Sequence, residues 1–325
     1  MNIQESVIGI DLGGTKILIG EVTKGGEILG AKSYASNTEN QTKAVEVLLN
    51  ALDDYTQNIG FIAEKQVGIG VGLVGRVDYK SGIWLEIEPG KTNPIPLAEI
   101  LNVKTGLSVS LGNDVVCATM AEKQFGWGRE TNDFIYLNVG TGLAAGFVVE
   151  GRITQGGHFN AGEIGHTVID IHSDIACGCG RRGCIERLAS GLGIKEEALR
   201  HLKDYPKSVL AKNQAELTGK MVLHAAEEKD ELSGKIIDNA ALQLANLIMN
   251  MVRTTDPECV ILGGGVTRNE HFFQKILDNL QSNTIRFVTK GVIRSKLEKD
   301  KVGLIGAAVI GMNLGNEGGK EWSQA

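Results

Sequence analysis

Three cysteines, Cys177, Cys179 and Cys184, fall within eight residues, with glycines at 178, 180 and 183 between them. Thiolates at that spacing, on a loop that can bend tightly, wrap a soft tetrahedral cation, and zinc is the natural occupant. His166, eleven residues before the first cysteine, offers a nitrogen as fourth ligand and would close a structural Cys3His site. A disulfide or a set of idle buried thiols is the plainer alternative, and His158 or His172 can compete for the fourth position. Glu163 and Glu186 bracket the ligand set, so a metal held there would also position two acids.

A second pattern, Asp11-Leu12-Gly13-Gly14-Thr15-Lys16, lies in a strand-turn-strand setting. Its glycines let backbone amides approach phosphate oxygens, Thr15 and Lys16 add a hydroxyl and a charge, and Asp11 suits the hard Mg2+ that accompanies a triphosphate. An ordinary hairpin would explain the glycines but not their three neighbours. The segment is not a Walker A loop, which needs more residues between its glycines and a helix directly after. Asn113-Asp114 follows a strand and precedes a helix. That is an N-cap position, and equally a place where an α/β protein presents a carboxylate able to take a hydroxyl proton. Gly70-Val71-Gly72-Leu73-Val74-Gly75 matches the dinucleotide pattern literally, yet residues 76–82 carry a turn signal and no helix to face a pyrophosphate. Those glycines read as close packing. Glu163-x-x-His166 could suggest half of a di-iron site, but glycines at 162 and 165 argue against the helix it needs.

The elements that must position these groups follow from periodicity. Residues 7–12, 17–22 and 28–34 predict three strands joined by short glycine turns, hence antiparallel hairpins. A helical pattern over 39–58 and a strand over 67–71 complete a β-β-β-α-β unit. A second unit opens at 134–139, turns at Gly140-Thr141-Gly142 and continues through 147–149 and 152–154, which suggests a duplicated fold with one phosphate-gripping hairpin in each half. Helices are expected over 114–125, 184–202, 218–228, 231–254 and 269–281, a short buried strand over 260–262, a close-packed helix over 303–311 and a frayed tail over 315–325. Asp256-Pro257 ends the longest helix.

A chain of 325 residues favours two lobes. A net charge of -6 without a dense basic cluster offers no footprint for nucleic acid, and no apolar run suits a membrane span. Five cysteines, three of them clustered, fit reduced thiols and metal ligation, with Cys117 and Cys259 as small core residues. The first strand begins so early that no leader or DNA-binding module is expected before it, which points to the cytoplasm.

With these motifs in order along nearly its whole length, the chain resembles the ROK family (repressors, open reading frames and kinases), in particular its glucokinase-like sugar kinases. The resemblance is carried by Asp11 to Lys16, Asn113-Asp114, Gly140-Thr141-Gly142, residues 161–166, the Cys-Gly-Cys-Gly-x-x-Gly-Cys-Ile-Glu run over 177–186, and Leu262-Gly263-Gly264-Gly265. It implies an α/β, actin-like and ribonuclease H-like ATPase fold of two lobes with a central cleft. Residues 1–120 would form a small lobe joined by a C-terminal helix over 303–314, and 121–302 a large lobe with the zinc loop. It further implies that Asp11, Gly13, Gly14, Thr15, Lys16, Gly140, Thr141 and Gly142 hold ATP phosphates, with Mg2+ at Asp11 and Gly264 and Gly265 near the adenosine. Asp114 would be the base, Asn113, Glu163, His166 and Glu186 would contact the sugar beside Asp114, and His166 with Cys177, Cys179 and Cys184 would hold a structural zinc. Phosphorylation of a hexose or hexosamine hydroxyl, O6 foremost, by a homodimer is the expected activity. A sugar-binding regulator without catalysis is the alternative, although family repressors carry an N-terminal winged helix-turn-helix and the phosphate hairpin here starts at residue 11. A chaperone-like or filament ATPase shares the fold class but has no use for acids around a zinc loop.

The chain also departs from the family pattern. Gly75-Arg76-Val77-Asp78 stands where Gly-Pro-Val-Asp is usual, Val74 where proline is common, and residues 88–94 replace a Gly-Trp loop. Ala144 and Ala145 replace glycines after the second turn. The first three changes lie where sugar choice is set, leaving glucose, mannose, N-acetylmannosamine, N-acetylglucosamine, fructose, allose or a β-glucoside as candidates.

Overall fold

The computed structural model describes residues 4–88 and 90–312. Pro89, the end of the expected last helix at 313–314 and the expected tail over 315–325 lie outside the described residues. The chain divides into two compact units. One takes the chain up to Glu130, Gly151–Ala161 and the chain from Lys296 onward; the other takes Thr131–Glu150 and Gly162–Ser295.

In the first unit β1 (Glu5–Leu12) is apolar on both faces, so both must be covered. It pairs antiparallel with β2 (Lys16–Thr23), which pairs antiparallel with β3 (Ile28–Ala35), as the glycine turns predict. After α1 (Gln41–Asp54) the chain returns as β4 (Lys65–Leu73), parallel to β1. A three-stranded sheet of β5 (Arg76–Asp78), β6 (Ile83–Glu88) and β7 (Lys91–Ile95) and then α2 (Leu97–Thr105) precede β8 (Val109–Asn113) and α3 (Asp114–Phe125). The main sheet has the order β3-β2-β1-β4-β8.

Ile8, Ile10 and Leu12 share one core with Ala44, Leu48, Ala51 and Leu52 of α1. On the opposite face Val7 and Val22 pack with Leu304 and Ala308 of the final helix, Val302–Met312. This helix lies against strand backbone: a β-carbon on Gly9 would sit 2.6 Å from Leu304 O, and one on Gly70 would overlap Ala307 O. The dinucleotide-like glycines are therefore packing residues, as their setting predicts.

The second unit repeats the plan. β9 (Phe134–Val139) and β10 (Leu143–Val149) form an antiparallel hairpin, and the two-residue β11 (Arg152–Ile153) that follows along the chain falls within the stretch assigned to the first unit. Helices α4 (Glu186–Ala189), α5 (Gly191–His201), α6 (Gly219–Glu227) and α7 (Glu231–Thr255) lead to β12 (Cys259–Gly263), then α8 (Glu270–Asp278), α9 (Ser282–Ile285) and β13 (Gly291–Arg294). β12 runs parallel to both β9 and β13, so β10-β9-β12-β13 follows the same scheme as β2-β1-β4-β8. Leu244, Leu247 and Ile248 of α7 pack with Ile135, Leu137 and Val260 of the sheet.

Two expected helices are corrected. The one over 184–202 breaks at Ser190, whose extended backbone lets its side chain cap Gly193 N and start α5 afresh. The one over 39–58 ends as α1 at Asp54, widens into a π turn over Tyr55–Ile59 and stops at Gly60. The longest helix ends as expected, with Asp256 in a left-handed conformation before Pro257.

Candidate functional site

Asp11 of β1 lies opposite Gly72 of β4, and Gly72 opposite Gly112 of β8. Asp11, level with Gly112, and Asp114, two residues beyond it, thus lie at the same carboxyl-terminal edge of three parallel strands with β4 between theirs, where open α/β sheets receive ligands. Both charges reach one group: burial, then Asp11 and Asp114, push the Cys117 thiol well above its ordinary range. Burial also pushes the Asp11 carboxyl up to about 6, an effect Lys16 opposes. The Lys16 ammonium pairs with Asp300 at 3.7 Å, and no hydrogen bond reaches the Asp11 carboxylate among the described residues. A half-buried carboxylate without a contacting cation fits a Mg2+ ligand.

Asn113 fulfils the capping role its position predicts. Its Oδ1 accepts from Val115 N at 2.9 Å and Val116 N at 3.3 Å, while Nδ2 donates to Gly75 O at 2.9 Å. One N–H of that amide remains for a ligand. The Asp114 Oδ1 accepts from Val115 N at 2.9 Å, which fixes the carboxylate at the helix start.

In the β1–β2 turn Gly13 N donates to Lys16 O at 3.0 Å, and Thr38 Oγ1 donates to Gly14 O at 3.1 Å. A β-carbon on Gly14 would meet nothing within 4 Å. Nothing in the protein itself requires that glycine, which leaves an open cradle for a ligand.

The second unit gathers the other candidates. His166, Cys177, Cys179 and Cys184 bring their ligand atoms within 4.8 Å of one another, with Cys177 Sγ 3.4 Å from His166 Nδ1 and Cys179 Sγ 3.6 Å from Cys184 Sγ. A tetrahedral zinc with sulfurs at 2.3 Å separates them by about 3.8 Å, whereas a disulfide needs about 2 Å. All five cysteines are free thiols, so the donor set fits zinc and not a bridge. His158 and His172 are not in the cluster. Arg181 N–H, foremost among several donors, draws the Cys179 thiol down to about 6, while burial pushes Cys184 up. With His166 Nδ1 facing the thiols, Nε2 lies 3.9 Å from Glu163 Oε2, near the carboxylate but beyond hydrogen-bond length. Burial raises the Glu163 carboxyl, His166 opposes the shift and Glu186 adds to it.

Glu186 Oε2 accepts from Leu143 N at 2.9 Å, directly after the Gly140–Gly142 turn. Gly263 pairs with Asn138, and Val266 N donates to Val139 O at 3.1 Å, so the triple-glycine turn lies beside that same turn. The expected site residues therefore fall into two sets: Asp11 to Lys16 with Asn113 and Asp114 in the first unit, and Gly140–Gly142, Glu163, His166, the cysteines, Glu186, Gly264 and Gly265 in the second. Sequence reasoning missed the anchoring of the second turn by Gly191 and Leu192. The Ser190-x-x-Gly193 capping pattern was the signal that could have found it.

Sheets of this mixed order, with a glycine hairpin opening each unit, define an α/β protein of the actin-like ATPase class. A family model for ROK matches residues 7–313, and the chain belongs to the ROK family. A glucokinase of Thermotoga maritima is 31% identical over 94% of this chain and 96% of its own length. A xylose repressor of Caldicellulosiruptor bescii is 30% identical over 94% of this chain and 77% of its own. A solved ROK family glucokinase from Streptomyces griseus, in complex with glucose and AMPPNP, superposes with a TM-score of 0.76 at 26% identity, covering 95% of this chain and 99% of that one. No helix among the described residues is long and apolar enough to cross a membrane.

Proposed function

We propose that this chain is an ATP-dependent sugar kinase that transfers the γ-phosphoryl group of ATP to a hexose or hexosamine hydroxyl. The observation that carries the reading is the pair of carboxylates on one sheet edge: Asp11 beside the first glycine turn and Asp114 at the start of α3. Phosphoryl transfer needs a cation site near the phosphates and a base near the accepting hydroxyl, and little else in covalent chemistry. Asp114 takes the proton of the hydroxyl, O6 in a hexopyranose, as it attacks. The amides around Gly13-Gly14 and Gly140-Thr141-Gly142 neutralise charge on the transferring group. Mg2+ bound near Asp11 would supply charge neutralisation to the nucleotide. Asn113, Glu163, His166 and Glu186 orient the sugar. Zinc held by His166, Cys177, Cys179 and Cys184 would fix the imidazole and the loop. The kinase relatives and the AMPPNP complex support this reading.

Asp114→Asn is expected to keep sugar affinity within a factor of a few while turnover falls roughly 10²–10⁴-fold, the range for a lost general base. Turnover near that of the parent would overturn the assignment. A second reading, a sugar-binding regulator without catalysis, is favoured by the repressor relative. A coupled assay for ADP release over a panel of hexoses and hexosamines separates the two, since a regulator releases none with any sugar.

A further inference from the structure

Three hydrogen bonds tie the Gly140–Gly142 turn to the chain that leaves the cysteine loop. Leu143 N donates to Glu186 Oε2 at 2.9 Å, Gly191 N to Gly140 O at 2.8 Å and Leu192 N to Thr141 O at 3.2 Å. Glu186 follows Cys184 by only two residues, and between them Ile185 N donates to Thr167 O at 3.0 Å, next to His166. Gly165 and Gly142 both face this carboxylate: a β-carbon on either would come within 3.2 and 2.8 Å of Glu186 Oε2. The acid therefore sits in a slot closed on one side by the segment carrying the histidine and on the other by the glycine turn.

We propose that Glu186 is a positioning residue for the nucleotide. Its charge-assisted bond to Leu143 N sets the Gly-Thr-Gly amides for phosphate, and the cysteine loop, when closed on its metal, holds Glu186 in place. Metal occupancy would then tune nucleotide affinity even with no sugar present. The inference rests on the kinase reading and assigns Glu186 a duty separate from sugar contact. Mere structural support would not distinguish glutamine from alanine in nucleotide binding.

The test is titration of the full chain with Mg2+ and AMPPNP in the absence of sugar, alongside zinc content and circular dichroism. Glu186→Ala is expected to weaken AMPPNP about tenfold or more, and Glu186→Gln, which keeps an acceptor oxygen, to stay within about threefold. Chelator-stripped protein should bind like Glu186→Ala. AMPPNP affinity in Glu186→Ala equal to the parent would overturn the proposal. Should that variant not fold, hydrogen exchange at the Leu143 amide of the parent decides instead: a rise of about tenfold on metal removal is expected, and an unchanged rate overturns it. Failure of the metal-replete parent to bind AMPPNP at all would sink the kinase reading and this inference with it, a result separable from equal binding by parent and variant.

Discussion

The turn between β1 and β2 and the turn between β9 and β10 occupy equivalent places in two sheets of the same order, yet they are held differently. The first is braced by Thr38 Oγ1 on Gly14 O, by Ser36 N on Thr15 O at 3.2 Å and by an exposed Lys16–Asp300 pair, a surface contact that contributes under about 1 kcal/mol. The second is bonded at three points to the segment that follows the cysteine loop, with a carboxylate lodged against its last glycine. One repeated hairpin is thus tied in one unit to the chain that follows β3 and in the other to a candidate metal site. The difference teaches that the strand scheme provides the turn and its surroundings decide its rigidity.

The strongest break of that comparison is removal of the cation from the second unit. Metal analysis should return about one zinc per chain for the parent and none for Cys179→Ala, with the melting midpoint about 10 °C lower. Zinc retention by the variant would detach the cysteine loop from the comparison. Alanine at the two turns gives the next contrast. Gly142→Ala forces a β-carbon against Glu186 and should cost about 2 kcal/mol by denaturant unfolding. Gly14→Ala should unfold within about 0.5 kcal/mol of the parent while losing about tenfold in AMPPNP affinity. Equal unfolding costs at the two positions would erase the distinction.

The smallest effect serves as a control. Asp230 caps α7, and although burial pushes its carboxyl upward, donors from Ser233, Val209 and Ser208 outweigh this and hold it below its ordinary value. A depressed folded pKa contributes stability above the unfolded pKa, lost as pH falls through the folded one. Asp230→Ala should therefore cost about 1 kcal/mol at pH 7, less at pH 3, and leave AMPPNP affinity unchanged. Altered affinity would mean that frame stability alone governs the second turn.

Most of the candidate site was legible because its motifs are local. The cysteine spacing, the two glycine hairpins and the Asn113 cap are written in short runs, and the structure places the Cys3His atoms and the cap as those runs predict. The repeated hairpins also announced the repeated sheet. What escaped is what only tertiary packing decides. β5 to β7 have bulged registers and polar residues that blur alternation, and the break at Ser190 interrupts a run that is helical on both sides. The Glu186 bond to Leu143 N joins residues 43 apart in sequence, beyond any periodicity. The resemblance to a family supplied the roles proposed for Asp114, Glu163 and Glu186, which spacing alone left undecided.

The final helix has a consequence for how the molecule is made. Val302–Met312 covers the back of a sheet whose first strand starts at Glu5, and Gly9 and Gly70 leave grooves that this helix fills. During synthesis that face of the N-terminal strands stays unsealed until residues 302–312 have emerged from the ribosome. The first unit is thus closed only after the second, which lies between its strands and its final helix in sequence, has been made.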